Sequence, residues 1–490
     1  GSVSGTLIPI ACSLVAVIWQ LGLLKALGYG LDPYSMLVPF LVFAIGVSHG
    51  VQVVNTVRLE QSLGAEPWLA ARRAFRAIYI PGLTALLSDG LGFVTLMVID
   101  IQVIKDLAVA ASMGVAVIVL TNLFLLPVLL SFIGVGNKAV ARMEKSQNSD
   151  TSMWQPMTFF ATKRGASIAV VVALVALGVG LWGSKDLRIG DLDAGAPELR
   201  ADSRYNLDNA FISENYSTSS DIFVVMAITP TQACTSYQSL AGVERFQQFL
   251  TGVPGVQSSI SLADVSKRVT AGLNEGNLKW RTISRNQYVI NASLGYVPAG
   301  FMNSDCSLLP VIIFLDDHKA ETLSQLTHII DDYAMANNTD QLRFEMAAGN
   351  SGFEAATNQV IETAQYDMLA WVYGVVSLLC LLTFRSIKTV FCIIAPLALT
   401  SLLCQALMAW LGIGVKVATL PVIALGVGIG VDYGIYIYSR LNTYLVEGMS
   451  LKDAYLATLK TTGSSVAFTG LTLATGVVLW VLSQIKFQAN

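Results

Sequence analysis

The segment VATLPVIALGVGIGVDYGIYIY (417–438) decides the fold. It is apolar over about 20 residues, enough to cross ~30 Å of hydrocarbon as a helix. Inside it sits one acid, Asp432. An aspartate at the centre of a span costs about 2.5–3.5 kcal/mol on the insertion scale, and acids kept there usually mark ion pathways. Working outward, eight more apolar runs of spanning length fall at 6–24, 34–57, 78–99, 106–133, 166–183, 367–384, 387–411 and 462–484. They are too long and too uniformly apolar for barrel strands, so the chain reads as a polytopic α-helical membrane protein.

Composition agrees. Hydrophobic residues make up 54% of the 490 and charged residues 13%, about half the charged share of soluble domains. The net charge of -3 gives no basic footprint for a nucleic-acid partner. Lys and Arg set the orientation. Arg58, Arg72, Arg73 and Arg76, then Lys138, Arg142, Lys145, Lys163 and Arg164, then Arg385 and Lys388, then Arg440, Lys452 and Lys460 fall on one side. The short connections of the other side carry Lys25, Lys105, Lys416 and Lys486. The first side is expected to be cytoplasmic, which leaves the long polar segment 184–366 outside.

The chain also repeats itself. From 27 to about 105 the pattern recurs 384 residues later without a gap, as from IGVSHG (45–50) to IGVDYG (429–434) and from LGYG (27–30) to LGIG (411–414). Gly64 maps to Gly448 and Gly92 to Gly476. Such an offset marks two structural halves running the same way through the membrane, related by an axis along its normal. The span 166–183 and the outer segment have no first-half partner, and 106–133 maps beyond Asn490. A chain truncated at both ends, from a parent of roughly 750 residues or more, is expected. The domain reading is then four first-half spans (1–133), a cytoplasmic linker (134–165), the first span of the second half (166–183), an outer domain (184–366) and four more spans (367–490).

The outer domain is long enough to bury a core. DIFVVMAI (221–228), VQSSISL (256–262), LPVIIFL (309–315) and LRFEMAAG (342–349) read as strands. YQSLAGVERFQQFL (237–250) and AETLSQLTHIIDDYAM (320–335) read as helices. Two β-α-β passes predict a ferredoxin-like α/β sandwich. Of six cysteines, only Cys234 and Cys306 lie here. An oxidising outer compartment favours a disulfide between them.

Few residues can do chemistry. There is no phosphate loop, no H-E-x-x-H and no metal-spaced Cys/His cluster. Nucleotide hydrolysis, a resident metal and enzymatic catalysis are therefore not expected. Gly46 with Gly50, and Gly430 with Gly434, form G-x-x-x-G faces that permit close helix contact. Packing explains the glycines but not Asp432, whose neighbour Tyr433 can donate or accept a hydrogen bond. The repeat-related positions carry Ser48 and His49, and histidine changes charge near neutral pH. If the two spans meet at their glycine faces, His49 and Asp432 approach each other. Asp89, whose repeat equivalent is Leu473, can partner His49 or face a wet cavity. Thr469 and Thr472 can bond Asp432 or merely their own backbone.

The stretch GVGIGVDYGIYIYSRL (426–441) resembles the resistance-nodulation-division (RND) superfamily of proton-driven exporters. With GDLDAGAPELRADSRYN (190–206), it is similar to the hydrophobe-exporting branch that includes mycobacterial membrane large proteins and hopanoid exporters. The resemblance implies twelve spans, porter-type outer subdomains and export powered by a proton gradient with no other cofactor. It places Asp432 and Tyr433 on the second-half relay pair and Thr469 near a hydroxyl position. The first half departs from it, with Ser48 and His49 where relatives often carry Asp-Tyr. A bacterial inner-membrane location, a hydrophobic or lipid substrate, a homo-oligomer (dimer or trimer) and a periplasmic or outer-membrane partner follow as expectations. A protein-export accessory of the same superfamily and a non-pumping lipid sensor are the alternatives.

Overall fold

A computed structural model of the protein describes residues 2–32, 34–147, 153–483 and 486. The chain opens with helices α1 (Val3–Ala26), α2 (Val38–Ser62), α3 (Pro67–Thr95), α4 (Gln102–Ile118), α5 (Leu126–Ile133), α6 (Asn137–Gln147) and α7 (Lys163–Gly183). A π-helical segment, Val119–Leu125, joins α4 to α5. After α8 (Arg204–Asn215) come β1 (Ile222–Ile228), α9 (Tyr237–Leu250), β2 (Val256–Ile260), α10 (Leu262–Gly272), α11 (Gln287–Leu294), β3 (Leu308–Leu315), α12 (Ala320–Asn337) and β4 (Arg343–Ala348). The rest is helical: α13 (Asn350–Phe384), α14 (Ile387–Leu411), α15 (Leu420–Val446), α16 (Leu451–Thr458) and α17 (Ser464–Val478). A second π segment, Leu459–Gly463, links the last two.

Among the described residues, eight helices are long and apolar enough to cross a membrane. They coincide with eight of the nine expected spans, and the chain is a multi-pass membrane protein. The ninth expected span falls on α15, where the side chains of 421 and 423–425 lie outside the described residues.

The chain divides into two compact units. The first holds residues 1–187, 360–412 and 417–481, so its boundaries lie a few residues from the expected 184 and 366. Residues 148–152 of the expected linker lie outside the described residues. Small residues set its packing. A Cβ on Gly50 would lie 2.8 Å from Pro9 of α1, and one on Gly183 2.8 Å from the Trp410 ring of α14. Repeat-related Gly64 and Gly448 follow the ends of α2 and α15 with φ of +88° and +89°, a conformation costly for residues with a Cβ.

The second unit holds 188–359, 413–416 and 482–490. Its four strands lie in the order β2-β3-β1-β4, every neighbouring pair antiparallel. With α9 and α12 as the crossovers, the connectivity is β-α-β-β-α-β. Burial alternates strictly along β1 and β3, which sends Phe223, Val225, Leu309 and Val311 into a core with Leu240 and Phe246. The stretch 263–308, without a strand or helix in the sequence reading, supplies α10, capped by Ser261 and Asp264, and α11. Cys234 and Cys306 are joined as a disulfide with Cα atoms 5.1 Å apart.

Among the described residues of this unit, His318 and Asp221 form a buried ion pair. His318 Nδ1 is 2.8 Å from Asp221 Oδ1, and both side chains are buried. Burial works to lower the imidazole, but the hydrogen bond to Asp221 and the charges of Glu354 and Asp191 outweigh it and push it up to about 9. A raised folded value means the pair stabilises fully below the ordinary 6.5 and loses that contribution as pH rises through about 9. His318→Gln should therefore flatten the fall in stability between pH 6.5 and 9, read as the unfolding midpoint of this unit in denaturant.

Candidate functional site

α15 carries Gly428, Asp432 and Tyr436 at four-residue steps, hence on one face. That face meets α3 and a side chain of α2. Asp432 Oδ2 lies 3.1 Å from His49 Nε2, and Asp89 Oδ2 of α3 lies 3.7 Å from the same nitrogen. The other ring nitrogen, Nδ1, is 2.8 Å from the Tyr436 hydroxyl. His49 and Asp89 are each 2% exposed, Asp432 5% and Tyr436 6%. Three helices thus converge on one imidazole between two carboxyls and a phenol.

The glycines act differently from expectation. The G-x-x-x-G faces do not meet each other. A Cβ on Gly46 would lie 2.7 Å from Ser13 Oγ of α1, and Gly50 faces Pro9. Gly434 faces Ile393 of α14 and Gly430 faces Leu397. Each glycine face seats its helix against the helix before it in the chain, α2 on α1 and α15 on α14. His49 and Asp432 therefore project elsewhere, and they meet because Gly428 lets α15 approach α3 at Asp89. A Cβ on Gly428 would sit 2.5 Å from Asp89 Oδ1. Gly428→Ala should push that carboxyl away from His49 and lower transport about tenfold, the effect of roughly 1.4 kcal/mol; uptake or efflux assays at unchanged protein level read it.

Other expected residues stand apart. Tyr433 adjoins Asp432 in sequence, but its buried hydroxyl has no hydrogen-bond partner, and it is Tyr436 that reaches His49. The four-residue spacing from Asp432 was the available signal. Ser48 is half-buried and makes none of these contacts. The Thr469 hydroxyl donates to Ser465 and Val466 carbonyls, and that of Thr472 to Phe468 and Thr469 carbonyls. Neither bonds Asp432, because a threonine hydroxyl in a helix finds the carbonyl one turn back first. Asp89 lies well inside α3, at the site itself.

Side chains of this kind can bind and release protons. Both Asp89 carboxyl oxygens and Asp432 Oδ1 are buried without a hydrogen-bond donor, and a buried acceptor left unpaired costs about 1–3 kcal/mol or more when charged. An imidazolium together with one proton shared by the two carboxyls is neutral. Adding or removing one proton from that set leaves a net charge on a buried group. His49, Asp89 and Asp432 also bring three ligand-type atoms within 4.8 Å of one another, although no metal spacing exists in the sequence. The 3.1 Å separation of His49 and Asp432 already matches a hydrogen bond.

The sequence model of the MMPL family matches residues 202–490. The match takes in Asp432 and Tyr436; His49 and Asp89 precede it. No curated protein matches the chain. The β-α-β-β-α-β unit, the apolar helices and the family match over more than half of the residues lead to one assignment: the chain belongs to the MMPL family of RND-type membrane transporters.

Proposed function

We propose that the protein exports a hydrophobic or amphiphilic molecule, lipid being the leading class, from the bacterial inner membrane, driven by protons passing through His49, Asp89 and Asp432. The observation that carries this reading is the buried imidazole set between two carboxyls, the three groups coming from three different helices. Proton arrival or departure changes the net charge of a buried group, and low-dielectric surroundings make such changes large. α2, α3 and α15 can then shift relative to each other between two packed states. A potential of 100 mV supplies about 2.3 kcal/mol per proton, enough to bias such a pair of states.

In this reading the α/β unit serves as a porter-type domain on the periplasmic side, assembled as a homo-oligomer with a periplasmic or outer-membrane partner. The test is efflux of a fluorescent acyl-chain lipid from proteoliposomes under an imposed pH gradient. Efflux should rise with the gradient and collapse with a protonophore. Lipid movement indifferent to the protonophore would remove proton coupling and favour a sensor or passive role.

A further inference from the structure

The His49 group lies deep in the helical unit, and protons must travel between it and an aqueous surface. Beyond His49, towards its basic end, α2 carries Gln52, Asn55 and Arg58 at three-residue steps. Gln52 is 3% exposed and Asn55 7%, with Arg58 half-buried. The steps of three follow the ridge that winds around a helix. His49 accordingly faces Asp89 and Asp432, while Asn55 has turned to the π segment, where its Nδ2 donates to the Thr461 carbonyl at 3.1 Å. Arg58 Nη2 donates to Asn55 Oδ1 at 2.6 Å. Those two bonds fix the Asn55 amide one way round. Gln52 Nε2 and Arg58 Nε are buried without an acceptor. On the facing helix, Thr461, Ser465 and Thr469 are all buried.

Polar side chains are expensive here, and packing does not require them. A π segment leaves backbone carbonyls outside the regular ladder and is often found at functional positions. From His49 to Arg58 the helix rises about 14 Å, roughly half of ~30 Å of hydrocarbon. The stretch therefore reaches from the site to the membrane surface where the Arg-rich connections lie, the cytoplasmic one by charge.

We infer that water enters between α2 and the π segment Leu459–Gly463, and that Gln52 and Asn55 order it into a proton route joining His49 to the cytoplasmic surface at Arg58. This rests on the proton-coupled reading above. Each transfer moves a proton from one water to the next, beginning or ending on the imidazole or a carboxyl of the site. The amides orient the waters by donating and accepting, and are themselves unchanged. Arg58 is a positioning residue that holds Asn55.

Gln52→Leu and Gln52→Ala separate this role from simple helix adhesion. Leucine fills the route with apolar volume; alanine leaves room for water. In proteoliposomes holding a pH-sensitive dye, Gln52→Leu should slow gradient-driven proton flux at least tenfold, with an unchanged melting temperature. Gln52→Ala, which loses the amide but leaves room for water, should slow the flux several-fold less than Gln52→Leu does. Wild-type flux in Gln52→Leu, or equal slowing in both variants, would overturn the route. Asp432→Asn in the same assay distinguishes the two failures. If it abolishes flux while Gln52→Leu does not, only the route falls; if it leaves flux intact, the proton reading itself falls.

Discussion

Asp432→Asn should abolish proton-driven transport, lowering it by ~100-fold or more, the range typical for a positioned proton carrier. The change keeps size and shape, so the packing of α15 on α3 and α14 is retained. It replaces a carboxyl 3.1 Å from His49 Nε2 with an amide that cannot take or release a proton. The pair Asp89 and His49 remains, but at 3.7 Å and with one fewer proton-binding group. Asp89→Asn should act in the same direction. Both Asp89 oxygens are buried without a donor, so the amide replaces one uncompensated acceptor with a donor and removes a buried charge, and the protein should be no less stable. Lost transport with unchanged or raised thermal stability is the combined signature. A fall in stability that tracks the fall in transport would instead point to a structural role for these acids.

Breaking the disulfide should have the largest effect on stability. Cys234 and Cys306 are separated by 72 residues, and closing a loop of that length restrains the unfolded chain by about 4 kcal/mol in the entropy model. The bond ties the segment entering α9 to the one entering β3, and Cys234 lies in the core. Cys234→Ser with Cys306→Ser should therefore destabilise the α/β unit by about 2–5 kcal/mol. Limited proteolysis of the membrane-inserted protein would read this as faster cleavage between 188 and 359. The spanning helices should be unaffected, so a cut pattern spread evenly over both units would contradict the expectation.

The membrane class was legible because hydrocarbon thickness imposes a length on apolar runs that needs no tertiary information. Eight described helices lie where those runs lie. The strands of the α/β unit were legible because 222–228 and 308–315 are short apolar runs bounded by polar and turn residues; their alternate burial is visible only in the structure. The middle of that unit was not: α10 and α11 are short, with too few turns to show a helical period. Asp432, His49 and Asp89 stood out for one reason, that polar side chains in apolar runs are costly and demand partners.

The partners themselves were decided by tertiary structure. A G-x-x-x-G pattern shows that some helix can come close, but not which. The Gly46 and Gly430 faces went to the preceding helices, α1 and α14, and the rotation of α2 and α15 that results turns His49 and Asp432 towards each other. That same rotation selects Tyr436 over Tyr433 for His49, and it directs Asn55 to Thr461. Sequence alone determined which residues would be unaffordable if left unpaired. Helix rotation, fixed by side-chain volumes summed over whole interfaces, decided what each of them pairs with.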